Sequence, residues 1–237
     1  MKWTLVTGAA KGLGAEISRT LAKEGHSLLL HYNKNGSEAG KLAQECRHLG
    51  VGAICLQGDF SSASSVSEFL ERVHETCSDL NGLVNNVGIY KIGSALNTSG
   101  AEWNTLFQVN LHAPFALIQS LVPSLIKRKG AVINIGFAGI GSGRAETYSA
   151  AYSLSKGCLW ELTKSLAKEL ASSGVRVNMV SPGHMENSID LPEHFPSLPL
   201  KRTACFSEVA RAVSFLLDDA SEYITGQNLA VAGGVRL

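Results

Sequence analysis

Tyr152 and Lys156 are the side chains whose types and spacing best suit acid–base chemistry. They lie four residues apart in a segment that is predicted to be helical, so both project from the same face of the helix. A tyrosine hydroxyl has an ordinary pKa of about 10, and a neighbouring ammonium group lowers that pKa by favouring the phenolate. Tyr152 is therefore predicted to exchange a proton with a carbonyl or an alcohol near neutral pH. Tyr148, one turn earlier, has no lysine four residues later and is not expected to take this role.

A glycine-rich segment near the N-terminus is the second group of residues that could bind a reactant. It reads Thr7-Gly8-Ala9-Ala10-Lys11-Gly12-Leu13-Gly14, with a short β-favouring run before it and an amphipathic helical pattern after it. Glycines at a strand-to-helix turn let the backbone approach a phosphate, and the first helical turn offers N–H groups and the positive end of the helix dipole. Because both flanking elements are present, we predict dinucleotide binding by Gly8, Lys11, Gly12, Leu13 and Gly14 rather than a turn without a ligand.

Short apolar runs alternate with longer amphipathic runs and provide the frame for these groups. The predicted strands are Trp3–Val6, Ser27–His31, Gly52–Leu56, Gly82–Val84, Ala131–Ile135, Val175–Val180 and Asn228–Val231. The predicted helices are Gly14–Glu24, Ser37–Leu49, Ala63–Cys77, Ala101–Ile126, Ala151–Ala171 and Ser207–Leu217. This alternation predicts an α/β fold, with a doubly wound, mostly or fully parallel seven-stranded sheet and helices on both faces. Ligands of such a sheet bind beyond the C-terminal ends of the strands.

One irregular region interrupts this otherwise uniform chain. Residues 184–205 contain three of the six prolines, which resist a long regular element. Long loops in compact domains are usually functional, so we predict a substrate loop here, with His184 facing the substrate. Because no linker or longer repeat divides the chain, residues 1–237 are predicted to form a single domain.

Composition and charge exclude several classes of function. With a net charge of +1 and no run of like charges, the chain offers no electrostatic case for binding nucleic acid. No apolar stretch approaches the roughly 18 residues of a membrane span, and the N-terminal run does not read as a signal peptide. The five cysteines form no CxxC pair and the histidines form no HxxxH pair. We therefore expect neither disulfides nor a metal site, and a reducing cytoplasm as the location.

The residues after the second strand indicate which dinucleotide binds. A site for NAD places an acidic residue there, which accepts a hydrogen bond from the adenine ribose 2′-hydroxyl. This chain instead reads His31-Tyr32-Asn33-Lys34, without an acid. Lys34 and Lys11 could converge on a 2′-phosphate, although Lys34 would equally suit a solvated turn. We therefore predict NADP(H), with Asn33 and Lys34 at the adenosine end.

Two further loops are predicted to contact the cofactor. Asp59 and Phe60 follow the third strand, where Asp59 could accept from the adenine amino group or could cap the next helix. Asn86, Val87 and Gly88 follow the fourth strand. Polar amides followed by a glycine favour a loop that lies against the cofactor, with an ordinary asparagine-rich turn as the alternative.

Taken in order, these motifs resemble the short-chain dehydrogenase/reductase family. The segments that carry the likeness are TGAAKGLG, NNVG, FQVNLHAPF, YSLSK, Ser181-Pro182-Gly183 and ITGQNLAVAGG, and together they span nearly the whole chain. The resemblance implies a Rossmann fold and hydride transfer between a nicotinamide and a carbonyl or alcohol. Within the family, the chain looks like 3-oxoacyl-acyl-carrier-protein reductases, with pteridine reductases nearby. That likeness implies a small or carrier-bound carbonyl substrate and a homotetramer.

The resemblance also implies roles for individual residues. Tyr152 would be the general acid, and Lys156 would lower its pKa and hold the nicotinamide ribose. Asn110 would hold a water in a proton relay, while Pro182 and Gly183 would border the nicotinamide. Asn110, Tyr152 and Lys156 are therefore the predicted catalytic residues.

One position departs from the family pattern. Phe137 stands where a serine usually hydrogen-bonds the substrate oxygen, and the next serine along the chain is Ser142. Ser142 could replace the missing donor, since the segment from Gly136 to Tyr152 is longer than usual. Loss of one such donor typically costs about 2.7–4 kcal/mol of transition-state stabilisation, which slows an enzyme without necessarily abolishing its activity.

Three functions therefore remain open at the level of sequence. The first is an NADPH-dependent reductase of a carbonyl substrate, which the set of Asn110, Tyr152 and Lys156 favours. The second is an NADP(H)-binding sensor or partner subunit with little reductase activity, which Phe137 favours. The third is a reductase of a pterin or quinone that stacks on the Phe137 ring.

Overall fold

Seven strands form one sheet in which every neighbouring pair is parallel. The structure is a computed structural model and describes residues 2–189 and 198–235. The strands are β1 (Lys2–Val6), β2 (His26–Tyr32), β3 (Ala53–Gln57), β4 (Leu80–Asn85), β5 (Ala131–Ile135), β6 (Arg176–Pro182) and β7 (Asn228–Val231). Their order across the sheet is β3-β2-β1-β4-β5-β6-β7, so the winding reverses between β1 and β4. Ligands of doubly wound sheets bind at such a reversal.

Helices cover both faces of this sheet. The α-helices of the described residues are α1 (Gly12–Lys23), α2 (Gly36–His48), α3 (Ala63–Thr76), α4 (Gly100–Phe107), α5 (Ala113–Arg128), α6 (Ala150–Leu170) and α7 (Phe206–Leu217). α1, α2 and α7 contribute to one apolar cluster, and α3, α5 and α6 contribute to a second. Because both faces are covered, central strands such as β5 are buried along their whole length. The predicted doubly wound Rossmann fold is confirmed.

The helix predicted from Ala101 to Ile126 is interrupted in its middle. A π-helical turn, Gln108–His112, joins α4 to α5 and contains Asn110. Pro114 has no N–H, so it cannot donate the α-helical hydrogen bond to the Asn110 carbonyl four residues earlier. The prediction of one uniform helix was therefore wrong at this point. Turns of this kind are frequent at functional sites.

The combined segment Gly100–Arg128 is long and apolar enough, by length and composition, to cross a membrane. The sequence showed no uninterrupted apolar stretch of that length. A buried core helix of a globular protein can also meet this criterion of length and composition. Leu117, Leu121 and Leu125 are buried in the second apolar cluster, where α5 packs against β4. Packing against the sheet therefore accounts for the apolar character of the segment.

The predicted substrate loop is described only in part, because residues 190–197 lie outside the described residues. The two described ends of the loop pair with each other, since the Ala204 N–H donates to the His184 carbonyl oxygen at 2.9 Å. Arg202 makes a bidentate ion pair with Glu208 at the start of α7, with both distances at 2.7 Å. The loop therefore begins directly after β6 and returns to the body of the protein at α7.

Candidate active site

The glycine turn, residues 7–14, connects β1 to α1 through two left-handed positions. Gly8 and Gly12 have φ angles of +65° and +55°, a conformation that favours glycine. Asn86 donates from Nδ2 to the carbonyl oxygens of Thr7 and Gly8, at 2.8 and 3.3 Å. The Thr7 hydroxyl accepts from the N–H groups of Asn86 and Val87, at 2.9 and 3.0 Å. The glycine turn and the loop after β4 are therefore held together as one unit.

The N-terminus of α1 is suited to an anion. Its N-cap residue, Lys11, makes no side-chain hydrogen bond to the first turn, and that turn contains no acidic residue. A Cβ added to Gly14 would overlap the carbonyl oxygen of Gly8, so only glycine allows the helix to approach the turn this closely. N–H groups without a side-chain cap, the positive end of the dipole and this close backbone approach fit the pyrophosphate of a dinucleotide.

His31, in β2, packs beneath the glycine turn. Its Nδ1 accepts a hydrogen bond from the Gly8 N–H at 2.9 Å, and its Nε2 donates to the Gly58 carbonyl oxygen at 3.2 Å. Its ring stacks on Phe60, with the ring centroids 4.2 Å apart. Burial lowers the pKa of His31 to about 4, so the imidazole is neutral at physiological pH. The Phe60 side chain is only 4% exposed, which leaves its backbone for the predicted cofactor contact.

This arrangement predicts that acid destabilises the protein. In the unfolded chain His31 takes up a proton near its ordinary pKa of about 6.5, whereas in the folded protein its pKa is about 4. We expect the free energy of unfolding to fall as the pH drops from 7 to 5, with His31 accounting for about 2 kcal/mol of the loss. Urea unfolding at the two pH values measures this effect. The variant His31→Asn, which cannot take up that proton, should show a shallower pH dependence, and an unchanged slope would contradict the role given to His31.

A polar cluster lies beyond the ends of β2 and β3, where the adenosine end is predicted. Asp59 accepts from Asn33 Nδ2 at 3.2 Å, from the Ser61 N–H at 3.0 Å and from the Ser61 hydroxyl at 2.8 Å. The hydrogen bonds from Ser61, with Lys34 nearby, lower the pKa of Asp59 and keep it ionised. Asp59 thus caps the turn at Ser61. Lys34 and Lys11 are exposed, where a phosphate can reach them.

An open cleft of about 400 Å³ lies where the loops after β4, β5 and β6 meet. Its lining brings together residues that are far apart in the chain and that the sequence predicts to bind cofactor or substrate or to act in catalysis. They are Leu13, Asn86, Gly88, Phe137, Tyr152, Lys156, Pro182, Gly183 and His184. Other lining residues were not singled out by the sequence, among them Ile89, Tyr90, Ser149, Asn187 and Ser188. The cleft therefore extends from Leu13, in the glycine turn, to Tyr152 and Lys156.

Lys156 is buried at one side of the cleft. Its Nζ donates to the Ile135 carbonyl oxygen at 2.8 Å. Burial lowers the pKa of Lys156 to about 8, so its ammonium group is still mostly protonated at pH 7. A Cβ on Gly88 would lie 3.2 Å from this Nζ, which shows how closely the loop after β4 approaches the lysine. Tyr152 lies one turn earlier on α6, and no carboxylate is among the described residues that line the cleft.

Asn110 fixes the loop after β4. Its Oδ1 accepts from the Ile89 N–H at 2.9 Å, and its Nδ2 donates to the Ile89 carbonyl oxygen and to Ser155 Oγ, both at 3.0 Å. Ser155 Oγ in turn donates to the Tyr152 carbonyl oxygen at 2.7 Å. The Asn110 side chain is thus committed to protein contacts. Its main-chain carbonyl cannot accept the usual α-helical hydrogen bond, because Pro114, four residues later, has no N–H.

Two aromatic rings flank Tyr152 in the cleft. Tyr90 meets its ring edge-on, with the centroids 4.8 Å apart and the planes at 83°. Phe137 lies on another side, with the centroids 5.5 Å apart and a tilt of 44°. These contacts position the phenol ring and give the cleft an aromatic wall beside the proposed proton donor.

Comparison with known proteins identifies the family of this chain. Residues 8–236 match the family model described as enoyl-(acyl carrier protein) reductase. The chain is 34% identical over 242 residues to 3-oxoacyl-[acyl-carrier-protein] reductase FabG of Staphylococcus epidermidis, with 99% of this chain and 98% of that protein covered. The chain belongs to the short-chain dehydrogenase/reductase family. It is therefore an oxidoreductase of a family that binds a nicotinamide cofactor.

Other members of the family share its length and fold. The chain is 34% identical over 241 residues to the oxidoreductase YmfI of Bacillus subtilis, with 98% of each protein covered. A blue fluorescent protein from a metagenomic library, solved in complex with NADPH, superposes with a TM-score of 0.91 at 29% identity, over 100% of this chain and 98% of that one. Acetoin dehydrogenase YohF from Salmonella typhimurium superposes with a TM-score of 0.89 at 27% identity, over 98% and 95% of the two chains.

In this short-chain dehydrogenase/reductase, Ser142 does not fill the place of the missing serine. It is exposed, its Oγ accepts from the Arg144 N–H at 3.4 Å, and it is absent from the described lining of the cleft. Gly139, Gly141 and Gly143, with φ angles of +88°, +78° and +71°, turn this segment along the surface. Ser142, which the sequence left as a possible replacement donor, therefore does not lie among the described residues that line the cleft.

Ser149 places in the cleft a hydroxyl that the sequence did not single out. It is 5% exposed and lines the cleft. It precedes Tyr152 by three residues, and a spacing of three places two side chains on neighbouring positions of a helix. That spacing is the signal from which Ser149 could have been found.

Proposed function

We propose that this protein is an NADPH-dependent reductase that transfers a hydride to the carbonyl group of a substrate resembling a 3-oxoacyl thioester. The observation that carries the proposal is that Tyr152 and the buried Lys156 share one cleft with the loop that is fastened to the glycine turn. The identity of 34% to a 3-oxoacyl reductase supports the substrate class.

Each residue of the site has a defined task in this reaction. When bound, NADPH supplies the hydride. Tyr152 donates its hydroxyl proton to the substrate carbonyl oxygen. Lys156, protonated at pH 7, stabilises the phenolate that remains and hydrogen-bonds the nicotinamide ribose. The Asn110 main-chain carbonyl holds a water through which Tyr152 regains its proton, and Pro182 and Gly183 border the nicotinamide.

The preference for NADP(H) rests on the charges at the adenosine end. Lys34 and Lys11 are exposed cations beside the end of β2 and the glycine turn. The Asp59 carboxylate is already engaged by Ser61 and Asn33. This end of the site therefore offers ammonium groups, which suit a 2′-phosphate, in place of an acid that would accept from a 2′-hydroxyl. The relative solved with NADPH agrees with this preference.

The variant Lys34→Glu is expected to weaken NADPH binding at least about 10-fold and to leave NADH binding unchanged. A hydrogen bond to a charged group contributes about 1.5–3 kcal/mol, which the variant removes while it adds a like charge. Fluorescence titration with both cofactors measures the effect. Lys41→Glu changes another exposed lysine, in α2, and should leave both affinities unchanged. Equal losses for NADPH and NADH would contradict the preference.

A second substrate class is favoured by the aromatic wall. Tyr90 and Phe137 place two rings beside Tyr152, and Phe137 occupies the position at which the family pattern has a serine. A planar conjugated carbonyl compound, such as a pterin or a quinone, would pack on this wall more tightly than a flexible thioester. The proton donor and the cofactor would be the same for both classes.

A substrate panel separates the two classes. Purified protein is mixed with NADPH and with acetoacetyl thioesters, quinones or dihydropterins, and NADPH oxidation is followed by absorbance. Faster turnover of thioesters supports the first class, and faster turnover of planar substrates supports the second. Tight NADPH binding without turnover of any substrate would overturn both and favour the NADP(H)-binding sensor or partner subunit.

We further propose that the protein is a cytoplasmic homo-oligomer, a tetramer by likeness to the family. Large apolar side chains are exposed on several elements, namely Phe115 on α5, Leu154 on α6, Phe215 on α7 and Leu229 on β7. Exposed apolar surface marks interaction sites when it is contiguous. All five cysteines are free thiols, which suits a reducing compartment. Sedimentation velocity measures the assembly.

A further inference from the structure

Ser149 is the N-cap residue of α6, but its side chain makes no capping hydrogen bond. A serine at this position usually accepts from an N–H of the first helical turn. Here the loop after β4 satisfies the start of the helix instead, because the Ala150 N–H donates to the Gly93 carbonyl oxygen at 3.1 Å. The Gly93 N–H donates to the Tyr148 carbonyl oxygen at 2.7 Å and completes the pairing. The Ser149 hydroxyl is therefore not needed to begin the helix.

The same hydroxyl is buried and borders the cleft. Ser149 is 5% exposed and lines the cleft together with Phe137 and Tyr152. Its Oγ lies 3.4 Å from Ser153 Oγ, which is longer than the usual 2.5–3.0 Å of a hydrogen bond between hydroxyls. Buried hydroxyl groups normally have a good partner, so this one retains hydrogen-bonding capacity toward a ligand.

We propose that Ser149 donates a hydrogen bond to the substrate carbonyl oxygen, in place of the serine that Phe137 replaces. The inference rests on the proposed reduction at Tyr152. Ser149 is the N-cap residue of α6 and Tyr152 lies in the first turn of that helix, and both line the same cleft, so their hydroxyls can approach one substrate oxygen. The backbone pairing with Gly93 fixes the position of Ser149 before the substrate arrives, which makes the donor effective in the transition state.

Kinetics of four variants test this role, with the substrate that the wild-type protein reduces fastest. Ser149→Ala is expected to lower kcat about 10²-fold, because one donor to the reacting oxygen is lost. Its NADPH affinity and its unfolding temperature should stay near the wild-type values, since the side chain caps nothing. Ser153→Ala is the matched control, because it removes the same 3.4 Å contact from the other side and should keep the wild-type kcat. Phe137→Ser is the reference for Phe137→Ser/Ser149→Ala: loss of the Ser149 hydroxyl should lower kcat less in the Phe137→Ser background than in the wild type, because the new serine supplies a second donor.

Each other result would overturn the inference. A wild-type kcat in Ser149→Ala would show that the hydroxyl does not reach the reacting oxygen. Equal losses in Ser149→Ala and Ser153→Ala would show that the pair is structural. An equal fold-loss from Ser149→Ala in the wild-type and Phe137→Ser backgrounds would show that the two positions do not serve one oxygen. A wild-type protein that reduces no substrate would overturn the proposed function itself, and this is known before any variant is made.

Discussion

Tyr152→Phe is expected to lower kcat about 10²- to 10⁴-fold, which is the usual contribution of a positioned general acid. Phenylalanine keeps the ring that packs against Tyr90 and Phe137, at 4.8 and 5.5 Å between centroids. The variant therefore removes the hydroxyl and little else, so NADPH affinity and folding should be nearly unchanged. Steady-state NADPH oxidation, together with a fluorescence titration of NADPH, measures both quantities.

Tyr148→Phe is the matched control for this substitution. Tyr148 lies four residues before Tyr152, in the segment that precedes α6, but it is 53% exposed and is absent from the described lining of the cleft. The kcat of the Tyr148→Phe variant should equal that of the wild-type protein. If Tyr152→Phe turned over as fast as the control, Tyr152 could not be the proton donor, and the cleft would need another acid.

The placement of Tyr152 and Lys156 on one face of a helix was predictable because it depends on local geometry. A spacing of four residues on a helix places Tyr152 and Lys156 on one face in any fold, and the strand before α6 places that face at the end of the sheet. Likewise, the glycine turn was predictable because a strand, a turn and a helix follow one another in sequence. In both cases the residues that matter are neighbours along the chain.

The parts of the site that could not be predicted depend on contacts between distant residues. Ser142 was a candidate replacement because it is the next serine after Phe137, but three glycines with positive φ lie in its segment, and Ser142 is exposed. Ser149 is free of its capping role only because Gly93, more than 50 residues earlier, pairs with the start of α6. Local sequence patterns predict neither the path of a loop nor a backbone pairing between distant residues.

The side-chain role of Asn110 was missed for a related reason. The sequence placed it in a uniform helix, whereas the structure places it in a π-helical turn, where its amide holds both backbone groups of Ile89. Pro114 was a visible signal that the helical hydrogen bonding breaks there. The hydrogen-bond partners of the Asn110 side chain, however, depend on how α6 and the loop after β4 pack around it.

Gly14→Ala is expected to disrupt the cofactor site and to destabilise the fold. An added Cβ would overlap the Gly8 carbonyl oxygen and lie 2.7 Å from Asn86 Nδ2. A backbone carbonyl cannot move aside as a flexible side chain can, so α1 or the glycine turn must shift. Overpacking of this kind typically costs about 1–3 kcal/mol of unfolding free energy. Because the shifted groups are those that fit the pyrophosphate, NADPH affinity should fall at least about 10-fold.

Gly40→Ala separates the clash from the general effect of an alanine in a helix. Gly40 lies inside α2, and a Cβ added there would meet nothing within 4 Å. Alanine should therefore stabilise this helix by roughly 0.5–1 kcal/mol and leave NADPH binding unchanged. Urea unfolding and NADPH titration of both variants give the comparison. Opposite signs for the two stability changes would show that the close approach of α1 to Gly8 requires glycine at position 14. A Gly14→Ala variant that is as stable as the wild type and binds NADPH as tightly would contradict this. It would mean that the turn accommodates a side chain and that the pyrophosphate is held elsewhere.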